Sequence, residues 1–539
     1  MNKKNIFISA LTVVFALTSC NDWLDVMPDN RAEVDTAEKV RKLLVSAYPE
    51  NGFAYYGELA SDNVDDMGSS VTYHHRIWEQ MYKWEEVTET SNEDPKRIWE
   101  ACYGAITNAN QALSSLDEMD GNTSELNALR GEALLCRAYN HFVLVNMFCK
   151  GYNPETAETD LGIPYMEKSE TALNPKYERG TVANVYKNIA KDLEEGLPLV
   201  NDANYTIPKY HFNEKASYAF ASRFYLFYGD WDKVIEYSTK ALGSSPTELL
   251  RDYDALAVLP RDENWTQALA YTSTDVKANL LLTTAYSSMG SYYSGKIYSD
   301  TEVRIATSNM LAQTELLNRS PWGTYAVSTG AYEYTRMYKV RPYTYLGDNF
   351  DKTHFPKVPM LFEYTDPVAG VGYFRSNFVV LTAEEALLNR AEAYIMKEQY
   401  DLALADLNLW TVNVLNPSYC KTGVTLTLES VKTWAESMDY YTSTVPTPKK
   451  RINHLLATIE EGSDQEAMLQ CAVYIRRIEL MQTGLRWWDI KRLGIEIYRR
   501  TLKDVSVVSV EDCLTFDDER RALQIPKDVI TSGLTANPR

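Results

Sequence analysis

The chain has 539 residues, with 74 Asp and Glu against 54 Lys and Arg and a net charge of −20. Such a field disfavours nucleic acid, whose capture depends on Lys and Arg neutralising phosphates, and it disfavours adsorption to anionic membrane surfaces. Neutral solutes meet no such barrier. The length exceeds what one hydrophobic core supports, unless helical repeats extend a single body.

In chain order, Lys3 and Lys4 precede an apolar run from Ile6 to Leu17, which closes at Thr18-Ser19-Cys20. A cationic start and an apolar stretch of about 7–15 residues make a secretory signal. Small residues ahead of a cysteine predict lipoprotein processing over 1–19, with Cys20 as the acylated first residue. A spanning helix needs about 20 apolar residues, so the membrane is expected to be reached through lipid alone. Processing leaves 52 Lys and Arg against 74 acids, a charge of −22. Six cysteines remain beyond Cys20, sparse and without CxxC spacing, and are expected to be buried free thiols.

Helical periodicity dominates two blocks, 97–246 and 380–417. Ile98 to Leu116 and Glu125 to Phe148 predict a first pair, the second helix carrying an amphipathic stripe through Leu129, Ala133, Cys136 and Val143. Thr181 is placed to cap a helix running to Leu199, with Phe212 to Tyr228 as its partner. Gly229-Asp230-Trp231 through Tyr237 to Pro246 reads like a tetratricopeptide repeat helix, and Arg390 to Pro417 reads as a second instance. The expected fold is mainly α: about four tetratricopeptide-like helix pairs with a large, loop-rich, irregular half. Residues 63–95, 250–378 and 416–463 supply the loop-rich segments and 464–500 a C-terminal helical element, all within one body over 20–539. Loops this long are usually functional.

Several blocks in order resemble the SusD/RagB family of outer-membrane nutrient-binding lipoproteins. They are Arg130-Gly131-Glu132 to Tyr139, Asp160-Leu161-Gly162-Ile163-Pro164, Arg179-Gly180-Thr181-Val182, Asp192-Leu193, Arg476 to Leu480, Gly484-Leu485-Arg486-Trp487-Trp488-Asp489 to Arg492, and Ile525-Pro526-Lys527 to Asn537-Pro538. Leu485 stands where the family often has a polar residue such as His. The resemblance implies a helical-scaffold lipoprotein of the outer membrane that delivers oligosaccharide, or in some members peptide, to a SusC-like TonB-dependent barrel. Asp22 and Asp25 resemble export tags that send such lipoproteins to the cell surface.

Arg477 with Glu479, and Arg486 with Asp489, are expected to pair where a helix packs, with Trp487 and Trp488 buried beside them. Gly290 to Gly295-Lys296 is Walker-like, but Ile297 stands where Ser or Thr must hold magnesium, and no apolar strand is predicted before it. His74 and His75 are adjacent and lack the spacing of a zinc site. No cofactor or metal is expected. Acidic pairs leave a glycan hydrolase as a rival reading, and a pure assembly protein as another.

The loop aromatics are the favoured ligand contacts. Sugars present apolar C–H faces and many hydroxyls, and tyrosine offers rigid contact area with a hydrogen-bonding tip. The chain has 38 Tyr and 11 Trp, many of them where helical period is lost. The candidates are Tyr73, Arg76, Trp78 and Trp84 in the first loop block, beside Asp62-Asn63, and Tyr292, Tyr293, Trp322 and Tyr325 in the middle block. The competing role is to pack the loops onto the scaffold.

Overall fold

A computed structural model of the chain describes residues 34–69, 71, 75–170, 176–261, 265–293, 303–323, 333–344, 352–503 and 506–539. The expected signal, Cys20, Tyr73 and Tyr325 lie outside the described residues.

Three short helices lead in: α1 (Ala37–Leu44), α2 (Ala54–Ala60) and α3 (Arg76–Tyr82). The scaffold follows as α4 (Pro95–Glu118), α5 (Ser124–Phe148), α6 (Val182–Gly196), α7 (Glu214–Tyr228) and α8 (Trp231–Leu242). It resumes with α9 (Ala383–Met396) and α10 (Tyr400–Val414). α4 packs on α5, α5 on α6 and α7 on α8, and α9 lies against both α8 and α10. Local chemistry sets the starts. Asp94, Thr123, Thr181, Asn213 and Thr382 each accept a hydrogen bond from a backbone N–H in the first turn, a cap worth about 1 kcal/mol.

The helix α5 departs from the amphipathic expectation. From Ala128 to Phe148 nearly every side chain is buried, because α1, α4, α6 and α7 surround it and Trp488 packs on Phe142. Its polar residues are paired accordingly. Arg137 grips Asp192 of α6 with two bonds of 2.7 and 2.6 Å, and Tyr165 donates to the same carboxylate. Arg223 of α7 grips Glu385 of α9 in the same forked geometry, which suits a planar guanidinium meeting a carboxylate.

The segments expected to be irregular are partly ordered into sheet. Strands β1 (Asp65–Asp66), β2 (Asn279–Tyr286), β3 (Ile305–Ala306) and β4 (Leu361–Asp366) fall within them, and β5 (Val371–Thr382) begins there and runs into the block expected to be helical. β2 pairs antiparallel with β5, which turns back on β4 as a projecting hairpin. Segment 416–463 holds α11 (Leu428–Glu436), started by a capping box of Thr427 and Ser430. The C-terminal element contains α12 (Asp464–Glu479) and α13 (Leu485–Arg492), but its end is not helical. β6 (Ile497–Lys503) pairs with β7 (Ser506–Leu514) and, in parallel, with β1. The five core-facing cysteines Cys102, Cys136, Cys149, Cys420 and Cys471 are buried free thiols, and Cys513 is half-buried.

Two expected ion pairs are replaced by others. Arg486 binds Asp62, not Asp489, at 2.7 and 2.9 Å, and Arg477 binds Asn63, Asp62 and Glu315, not Glu479. Asp489 instead accepts from Arg476 and Arg492, while Glu479 accepts from Trp410 and Tyr253. The reading by sequence neighbours failed because on a helix these groups point to different partners, supplied by segments far away in the chain.

Candidate functional site

The helix α2 lies under the loop-rich half and is fixed from both ends. Gly57 and Gly484 meet backbone to backbone: a Cβ on Gly57 would lie 2.4 Å from the Gly484 carbonyl oxygen. Beside that contact Glu58 accepts from the Gly484 N–H at 3.0 Å and from Asn63 at 2.9 Å. Just beyond, Asp62 is surrounded by Arg486, Arg477 and Lys450, and Glu315 by Lys450, Arg477 and Arg500. Burial alone would raise the Asp62 carboxyl, yet the cations outweigh it and hold it well below the usual carboxylate range. Burial also lowers Lys450, to about 8, against the pull of Glu315.

On this base α2 presents Tyr55 to a cluster of rings from three segments. Tyr292, in the helical turn Met289–Tyr293, stacks over Tyr55 with centroids 6.0 Å apart and planes 10° apart. Trp78 of α3 meets Tyr292 edge-on at 4.4 Å, and His75 meets Trp78 at 4.4 Å. The turn is held in turn by Ser288, whose N–H and hydroxyl both donate to Glu93. Gly290 lies against the Pro359–Met360 backbone, where a Cβ would come within 2.3 Å of the Pro359 carbonyl oxygen. Trp78 is 3% exposed, Tyr292 half-buried and His75 exposed. The outcome is a clamped, half-buried tyrosine, backed by two buried rings and flanked by an imidazole.

Of the sequence candidates, Trp78 and Tyr292 are thus brought together, with Trp78 as the backing ring. Arg76 is exposed nearby and faces Glu89 at 3.9 Å. Tyr293 continues the Met289–Tyr293 turn; its side chain lies outside the described residues. Two candidates are corrected. Trp84 is only 4% exposed, its Nε1–H donating to the Ala60 carbonyl and its ring covered by the Arg499 guanidinium at 3.9 Å. Trp322 is fully buried and stacked on Trp410. Both pack loops onto the scaffold. Tyr55 and His75 were not picked out: Tyr55 sits in a helix, and His75 drew notice only as half of an adjacent pair.

The Walker-like string is also corrected in one respect, since the apolar strand β2 does lead towards Gly290. That strand is antiparallel to β5, and Ile297 still occupies the magnesium position. Among the described residues no group of three or more His, Cys, Asp and Glu is placed to hold a metal ion.

Residues 22–226 match the model of a SusD-like family described as starch-binding and associating with the outer membrane. The body superposes on a SusD superfamily protein from Bacteroides thetaiotaomicron with a TM-score of 0.63 at 18% identity, covering 94% of this chain and 100% of that one. The fold is SusD-like. A putative sugar binding protein from Bacteroides vulgatus gives a TM-score of 0.59 at 18% identity, covering 94% of this chain and 99% of that one. A SusD-like carbohydrate binding protein from the same organism gives 0.55 at 16%, covering 92% and 96%. In sequence, a SusD-like protein P2 of Formosa agariphila is 24% identical over 143 residues, which span 26% of this chain and 25% of that protein. The SusD-like fold accounts for the motif blocks as structural joints. Arg179 donates to the Gly162 carbonyl, to the Thr535 carbonyl and to Asn537, so three separated blocks lock together at one guanidinium.

Proposed function

We propose that this protein captures an oligosaccharide at the Tyr292 cluster and passes it, unaltered, to a TonB-dependent outer-membrane barrel. It does so while tethered to the outer membrane through lipid on Cys20 and facing the exterior. The clamped, half-buried Tyr292 carries this reading. A ring held by Tyr55, Trp78 and His75 loses little freedom when a sugar face stacks on it. Arg76 stands close by as a hydrogen-bond donor for hydroxyls. The net acidic body favours a neutral glycan over a phosphorylated or sulfated one.

The test is calorimetry of the purified protein against neutral glycans, beginning with malto-oligosaccharides because the matched family is described as starch-binding. Tyr292→Ala is expected to weaken binding by about 1–2 kcal/mol, a factor of roughly 5–30. A folded wild-type sample that binds no glycan, or equal binding by the variant, overturns the reading. New reducing ends on incubation would replace capture with hydrolysis. For the anchor, Cys20→Ala is expected to release the protein from the membrane fraction, and retention there would refute lipidation.

A further inference from the structure

The β4–β5 hairpin stands out from the body, with residues 363–371, 373 and 374 exposed. Its two faces differ. Phe362, Tyr364 and Phe374 share one face and pack edge-on among themselves, with centroids 4.8 and 5.1 Å apart. The register places Tyr286, Arg375, Tyr373 and Glu363 together on the other, since Tyr286 pairs with Arg375 and Glu363 with Tyr373. There the Arg375 guanidinium lies 4.0 Å over the Tyr286 ring and pairs with Glu363, while Tyr373 meets Tyr286 edge-on at 5.7 Å. Tyr373 is 54% exposed.

We infer that this second face is an outer glycan subsite that prolongs the Tyr292 cluster and gives the protein a preference for longer chains. The inference rests on the capture role proposed above. Three observations carry it. Two phenol rings flank a guanidinium–carboxylate pair of zero net charge, which matches a neutral solute with apolar faces and hydroxyl edges. The guanidinium has five N–H donors and the carboxylate several acceptor positions, more than their mutual pairing consumes. The two sites are also continuous: β2 ends at Tyr286, the chain passes through Ser287 and Ser288 into the turn bearing Tyr292, and Ser287 N–H donates to the Phe374 carbonyl. Six residues of chain span about 20 Å at most, within reach of one oligosaccharide. The opposite face offers a single hydroxyl, that of Tyr364, and its rings already cover one another, so it is the poorer platform.

The experiment is a chain-length ladder of malto-oligosaccharides, titrated by calorimetry into wild type, Tyr373→Ala, Arg375→Gln and Tyr292→Ala. Tyr373 is at the surface, so its loss does not threaten folding, and Arg375→Gln keeps a hydrogen-bonding side chain over Tyr286. Both hairpin variants are expected to lose about tenfold on long chains and to bind short ones as wild type does. Tyr292→Ala is expected to weaken binding at every length. If both hairpin variants follow wild type along the whole ladder, the outer subsite is refuted while capture at Tyr292 stands. If wild type binds no member of the ladder, both readings fall. A length preference seen with peptides and not with sugars also overturns the inference.

Discussion

Asp62→Asn tests the claim that the loop-rich half is held by buried charge. Asp62 is 4% exposed and lies within 2.7 and 2.9 Å of Arg486, 3.4 Å of Arg477 and 3.7 Å of Lys450. The amide keeps the shape but removes the charge, and it turns an NH2 towards guanidinium groups that also donate. At an effective dielectric of about 20, one pair at about 4 Å is worth roughly 4 kcal/mol before desolvation is subtracted. Three cations would be left short of a partner, and breaking a buried pair from one side costs about 3–5 kcal/mol. That is the expected loss, read as the urea midpoint shift followed by tryptophan fluorescence and far-UV circular dichroism. Acid unfolding gives a second reading. A carboxyl held well below its ordinary value contributes stability that is present above about pH 4 and lost as pH falls through the folded value. The variant should therefore show a shallower acid limb. A loss under about 1 kcal/mol with an unchanged acid limb would refute the reasoning, because exposed pairs are worth that little.

Two further outcomes follow from the same frame. Gly484→Ala places a methyl within 2.8 Å of the Ala54 backbone at a residue of φ +77°, so a loss of more than about 2 kcal/mol is expected in thermal unfolding; wild-type stability would deny the close contact. Burial raises Glu384 to about 7, aided by Glu479 and opposed by Arg251. Its folded form thus keeps a proton that the unfolded chain releases near pH 4.5. That contribution is complete below about pH 4.5 and is lost as pH rises through about 7. Urea titrations at about pH 5 and about pH 8 should show wild type losing more on alkalinisation than Glu384→Gln, and parallel losses would refute it.

The helices were legible because their signals are local: period, caps such as Thr181 and Thr382, and stops fall within a few residues of each other. The bonds that hold the helices together were not. Arg486 finds Asp62, Arg179 finds Asn537 and Lys491 caps the end of α5 through the Asn146 and Cys149 carbonyls, each across hundreds of residues. The ring cluster shows both sides of this limit. Composition pointed to Trp78 and Tyr292, but nothing in the chain separates Trp78, which backs a half-buried ring, from Trp84, which seals a guanidinium. The hairpin was not legible because its tyrosines and phenylalanines sit within a stretch without helical period, and β5 shows no strict alternation of buried and exposed residues.

The lock at Arg179, Gly162, Thr535 and Asn537 joins the tail of the polypeptide to a joint formed early in the chain. During synthesis that guanidinium emerges hundreds of residues before its last acceptors. Removing residues 535–537 would leave the ring cluster in sequence yet strip Arg179 of two of its acceptors, so the clasp couples that short segment to the α5–α6 joint.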